Sequence, residues 1–152
     1  MRHSRRSSVD DVTWLSTRLR GADQRELAAA LSSPQEALTS GILDSLICMT
    51  ICDDDGEPVA MYGVTRGVDP LIGHPWLLGS PKLLTIASTF LRESKTAVET
   101  LHEAGNFPLL LNYAASFNTV HLTWLKWCGF TLCKNMNVNG TPFVGFYRIQ
   151  NV

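Results

Sequence analysis

LLLNYAASFNTVHLTWLKWCGF, residues 109–130, reads as a strand, a cap and a helix with a marked end. Leu109 to Ala115 is an apolar run introduced by Pro108, bounded as a short buried strand should be. Asn118 stands where an N-cap belongs, and apolar positions follow it at helical spacing. Gly129 supplies the left-handed residue on which helices commonly close. Phe130 to Val138, the Asn139-Gly140 turn and Phe143 to Ile149 then form a hairpin, because Asn-Gly tolerates the positive φ of a tight two-residue turn. Strand, helix and hairpin in succession predict an α+β domain.

The same alternation extends towards the N-terminus. Ser80 is placed to cap a long helix with Pro81 at its first position, and Leu83, Ala87, Phe90, Leu91, Val98 and Leu101 trace one apolar face before Gly105. His74 to Leu78 reads as a short buried strand. Leu46 to Cys52 and Pro58 to Thr65 are strands joined by Asp53-Asp54-Asp55-Gly56; these acids lack the spacing of an EF-hand loop and read as a turn. The first third is helical. Ser8 caps a helix carrying Val12, Leu15 and Leu19 up to Gly21, Asp23 opens a second, and Ser33, Pro34 and Glu36 make a capping box for a third that Gly41 ends.

The 152 residues suit one domain, and 45% hydrophobic residues suffice for one sizeable core. With 13 Lys+Arg against 14 Asp+Glu, and only 18% charged residues, the chain is neither a basic nucleic-acid-binding domain nor a disordered acidic one. Arg2, Arg5 and Arg6 stand before any acid, so residues 1–8 are expected as a basic, flexible tail and residues 9–152 as the domain. Contact with nucleic acid, if any, would fall to that tail. No apolar stretch follows the arginines as in a secretory signal, and no run is long enough to span a bilayer. Cys48, Cys52, Cys128 and Cys133 lack the spacing of a zinc knuckle, so reduced cysteines and no metal are expected.

The segment from Asn118 through Gly129-Phe130, following the strand Leu109 to Tyr113, resembles the closing motif of the Gcn5-related N-acetyltransferase (GNAT) superfamily. The order of elements is similar to that fold over nearly the whole chain. The resemblance implies a single domain with a mixed, mainly antiparallel sheet flanked by helices. Trp124-Leu-Lys-Trp127-Cys-Gly-Phe130, together with Trp76-Leu77-Leu78 running into a long helix, is similar to the acetyltransferase-like proteins of short-tailed bacteriophages, some of them internal virion proteins.

In that superfamily the acyl-CoA pyrophosphate lies on backbone N–H groups of a glycine-rich turn before the central helix. The resemblance therefore points to Leu78, Gly79, Ser80 and Asn118 as cofactor-binding positions. The turn is degraded here: one glycine remains, the basic residue at the motif's start is missing, and Pro81 lacks an N–H. Lys82 could meet a phosphate as a point charge. The tyrosine that often protonates the departing thiolate is replaced by Leu125, an alkyl group with no proton to give. Tyr113 or His121 could substitute. No residue stands out as an amine-deprotonating base: Glu57, Asp69 and His74 fall near predicted strand ends or loops, where sequence cannot place them.

Two functions follow from the resemblance. One is a non-catalytic, virion-associated or protein-interaction component with no cofactor, contacting other subunits or copies of itself in the virion or host cytoplasm. The other is an active acetyl-CoA-dependent N-acetyltransferase acting on an amine of a small molecule or protein.

Overall fold

The computed structural model describes residues 3–150. Its elements are β1 (Ser4–Arg6), α1 (Val9–Leu15), α2 (Gly21–Ala29), α3 (Pro34–Asp44), β2 (Ser45–Cys52), β3 (Pro58–Arg66) and β4 (Ile72–Gly79). A 3-10 helix (Pro81–Ile86), α4 (Ala87–Ala104), β5 (Leu109–Ala115), α5 (Thr119–Trp127), β6 (Thr131–Val138) and β7 (Thr141–Ile149) complete the chain. The seven strands form one sheet in the order β1-β2-β3-β4-β5-β7-β6, antiparallel except where β4 meets β5.

The sheet buries both faces, and strand alternation assigns the residues. Met61 and Leu78 point towards α1 and α3, joining Val12, Leu15, Leu19 and Leu38. Their strand neighbours Tyr62 and Leu77 point the other way, into a larger core with Phe90, Val98 and Leu101 of α4 and Leu125 of α5. The helix face of Leu83, Phe90, Val98 and Leu101 was legible from its spacing, whereas the two faces of β3 were not, because Val59 to Val64 is buried throughout and shows no alternation.

Four local expectations need correction. The basic stretch expected as a flexible tail contains an edge strand: Ser4 to Arg6 pairs with Met49 to Ile51. Arg5 is anchored there by two hydrogen bonds of 2.8 Å to the buried Asp11 carboxylate; Met1 and Arg2 lie outside the described residues. Gly41 does not end α3 but sits inside it, where the Trp76 ring packs so closely that a Cβ would lie 2.4 Å from its Cζ2. Glycine is there for a close approach rather than a stop. Ser80 does not cap α4; the chain first winds through the 3-10 helix, and α4 begins at Ala87. Asn118 holds the N-cap position of α5 without making a side-chain cap. Its amide is engaged elsewhere, as described below.

The last hairpin and its turn are as expected, with Asn139 at φ 51 and Gly140 at φ 86. Gly56, at φ 82, closes the acidic turn, in which Asp53 Oδ1 accepts the Asp55 and Glu57 N–H groups. That carboxylate is a turn-former.

Candidate functional site

The site begins with a break in the sheet. β4 and β5 run parallel but pair only at Ile72–Leu109 and Gly73–Leu110, then separate. Pro75 gives the physical reason. Its carbonyl faces β5, where it accepts 2.8 Å from Asn112 Nδ2, so strand alternation turns its nitrogen to the same side, and that nitrogen has no hydrogen to donate. The Asn112 amide replaces the missing ladder. His74 Nδ1 lies 2.6 Å from Leu111 O and pins the closed end.

Beyond Pro75 the gap opens on both faces. On the α2–α3 face lies a basin lined by Glu26, Asp44, Trp76, Tyr113 and Phe143. On the other face an apolar groove of about 390 Å³ runs between α4 and α5, lined by Leu84, Leu91, Val120, Trp124 and Trp127, with Arg20 the one charged lining residue among the described residues. Leu77 and His121 line both spaces, so they are the partition between them.

The open end is clasped by α2. Arg20 N–H donates to Gly79 O at 2.8 Å, and Asp23 Oδ2 accepts the Gly79 N–H at 3.1 Å. Asp23 Oδ1 accepts from Arg20 Nη2 at 2.8 Å and from Asn118 Nδ2 at 3.0 Å, while Arg20 Nη2 also donates to Asn118 Oδ1 at 3.2 Å. One turn further along α2, Glu26 accepts the Ala115 N–H at the end of β5. A single short helix thus ties the end of β4, the end of β5 and the start of α5 together.

These contacts set the electrostatics. Burial, opposed by the Ala115 N–H and aided by the neighbouring Asp23 charge, pushes the Glu26 carboxyl up to about 7. Burial pushes the His121 imidazole down to about 4, so it is neutral at physiological pH. Glu26 binds its proton more tightly when folded, so its contribution to stability is full below its ordinary value of 4.5 and is lost as pH rises through about 7. In EDTA, the Tm of the parent protein relative to Glu26→Gln should therefore fall as pH is raised from about 5 to about 8. A difference that stays flat over that window would contradict the burial of this carboxyl.

Of the positions the resemblance marked for cofactor, Gly79 and Asn118 converge on Asp23. Leu78 is turned to the α1–α3 core, and Ser80 is buried with no partner for its Oγ among the described residues. Leu125 is buried in the main core. Lys82 is held by Glu57 at 2.8 Å and Asp53 at 3.4 Å. The base candidates lie away from the open end of the gap: Glu57 pairs with Lys82, Asp69 caps the Leu71 N–H in its own loop, and His74 bonds β5 at the closed end. Tyr113 and His121 do line the basin. Sequence reasoning missed Glu26, Asp23 and Arg20, whose partners on β4, on β5 and at the start of α5 lie between 56 and 98 residues away; their i, i+3 spacing on one helix face was the available signal.

Comparison with solved structures agrees on the architecture. A GNAT superfamily phosphinothricin acetyltransferase from Sinorhizobium meliloti, in complex with AcCoA, superposes with a TM-score of 0.71 at 13% identity, covering 96% of this chain and 86% of that one. The aminoglycoside acetyltransferase AAC(6')-Ib in complex with coenzyme A gives 0.69 at 16% identity, over 97% and 94%. A GNAT-family acetyltransferase from Bacillus anthracis gives 0.71 at 6%, over 96% and 93%. This is the GNAT fold. Identities this low speak for the fold alone, and no protein-family model and no curated protein matches the chain. The parting of β4 from β5 leaves backbone groups facing a cavity, where a ligand could pair with them.

Proposed function

We propose that this GNAT-fold chain acts through contacts with other protein chains, as a component of a short-tailed phage particle whose acyl-CoA site is degenerate. The observation that carries this reading is the turn after β4. Where a phosphate cradle is expected, the chain enters a 3-10 helix at Pro81, the Gly79 N–H is spent on Asp23, and the Lys82 ammonium is spent on Glu57 and Asp53. A pyrophosphate needs several free, convergent donors, and these groups are already committed. The residues around the neighbouring groove favour protein contact: Leu84, Val120 and Trp127 are each about half exposed and continuous with its apolar lining. The phage assignment itself rests on the resemblance of the Trp124 to Phe130 segment, and its setting would be the virion or the host cytoplasm.

A second reading, an acetyl-CoA-dependent N-acetyltransferase, is favoured by one feature: the basin holding Glu26 meets the groove at His121, so an amine on one face could approach a thioester on the other. Calorimetric titration with acetyl-CoA separates the two. Under the first reading no saturable heat appears up to about 1 mM, a ceiling worth about 4 kcal/mol. Micromolar binding that is lost on a bulky substitution at Gly79 would overturn that reading and restore the enzyme. Proteomic mass spectrometry of purified particles tests the virion assignment directly, and absence from them would sink it.

A further inference from the structure

The partition between groove and basin gathers three groups that neither reading uses together. Asp23 and Glu26 stand one turn apart on α2, His121 faces them from α5, and one donor atom from each lies within 4.8 Å of the others. We propose that these three residues form a binding site for one divalent transition ion of borderline character, such as Zn²⁺ or Co²⁺.

The acids alone would not carry this. His121 supplies the independent observation: the residue is 8% exposed, and its Nδ1 is buried with no hydrogen-bond partner among the described residues. A polar atom in that position costs stability unless a partner from outside the chain, an ion or a water, reaches it. The imidazole is also held in place, stacked on Trp124 at 5.7 Å between centroids and tilted against Phe146 at 6.3 Å. An ion would meet a ring that is already oriented.

The donor chemistry selects the class of ion. One imidazole nitrogen with two carboxylate oxygens suits Zn²⁺ and Co²⁺ better than Ca²⁺ or Mg²⁺, which prefer all-oxygen shells. The carboxylates are oriented by outer contacts of the kind that fix metal ligands: Glu26 by the Ala115 N–H, and Asp23 by Asn118 and the Gly79 N–H. Arg20 also holds Asp23, so an ion competes with the guanidinium there, and Glu26 and His121 carry most of the affinity. The basin gives solvent access for water to complete the shell.

The test uses untagged, full-length protein stripped with EDTA and dialysed, titrated with CoCl₂ and separately with ZnCl₂ by calorimetry and visible absorption. One ion per chain is expected, with a Co²⁺ absorption band that Zn²⁺ abolishes. His121→Ala should remove the band. Glu26→Gln, which keeps the side-chain shape, should weaken binding at least about tenfold. His74→Ala should leave both readouts unchanged, since His74 lies at the closed end of the gap. Circular dichroism of each variant establishes that it is folded. Lack of saturable binding, or binding indifferent to both His121→Ala and Glu26→Gln, overturns the proposal. Neither result bears on acetyl-CoA, so this site stands or falls separately from the proposed function.

Discussion

Asp23→Ala is expected to destabilise the protein by about 3–5 kcal/mol in denaturant titration, a larger loss than a surface ion pair could give. The Asp23 side chain is 2% exposed and that of Arg20 12%. Truncation leaves the guanidinium short of its counter-charge, Asn118 short of an acceptor and the Gly79 N–H unpaired in a buried place. An uncompensated buried charge costs several times what a lost hydrogen bond does. Asp23→Asn should cost less, because one acceptor oxygen remains for the two closest donors. The double variant Arg20→Ala/Asp23→Ala should lose less than the sum of the two single changes, since removing both charges abolishes the unpaired state. Strict additivity, or an Asp23→Ala loss below about 1 kcal/mol, would show that α2 does not clasp the open end in solution.

The second large effect is expected at the opposite end of the gap. Phe107 is fully buried, and its ring lies between two glycines: a Cβ on Gly73 would come 2.5 Å from its Cδ2, and one on Gly105 would come 2.4 Å from its Cζ. Both glycines are demanded by the ring. Phe107→Ala should cost about 3–5 kcal/mol by lost burial and the cavity left behind. For a chain of this size that is a fall in Tm of about 6–20 °C. The discriminating experiment adds Gly73→Ala. Alone, it should destabilise, because the new methyl meets Phe107 and Val64 Cγ2 at 2.8 Å. In the Phe107→Ala background the two ring contacts are gone and the close approach to Val64 Cγ2 remains, so the same change should cost clearly less than it does alone. A penalty of equal size in both backgrounds would refute the account.

The strands were legible because each reports itself locally: Leu109 to Ala115 lies between Pro108 and the Asn118 cap, and the hairpins carry Asp-Gly and Asn-Gly turns. The groups that shape the site were not, for the opposite reason. Asp23 in the first turn of α2 is what a helix dipole favours in any solvated helix, and nothing near residue 23 reveals that its partners are Gly79 and Asn118. Ser80-Pro81 is a strong helix-start signal that the chain overrides by winding 3-10 first, with Leu83 turned into the core. Pro75 was a missed opportunity. A proline inside a strand declares that one edge cannot pair there, and this is the residue at which β4 and β5 part.

That parting divides the sheet into two panels, each continuous in the chain: β1 to β4 within residues 4–79, and β5 to β7 within 109–149. Within the panels β2–β3, β3–β4 and β6–β7 follow one another directly, while β1 reaches β2 across three helices and β5 reaches β7 across α5 and β6, so the hairpins are the parts that form with little loop closure. The contacts that lock panel to panel are of another order, with Glu26 and Ala115 separated by 89 positions and Asp23 and Asn118 by 95. Refolding should thus proceed in two stages, the panels forming from local hairpins and α2 fastening them last. In native-state hydrogen exchange the Ala115 and Gly79 amides, both held by α2, would then open at lower free energy than the strand interiors beside them.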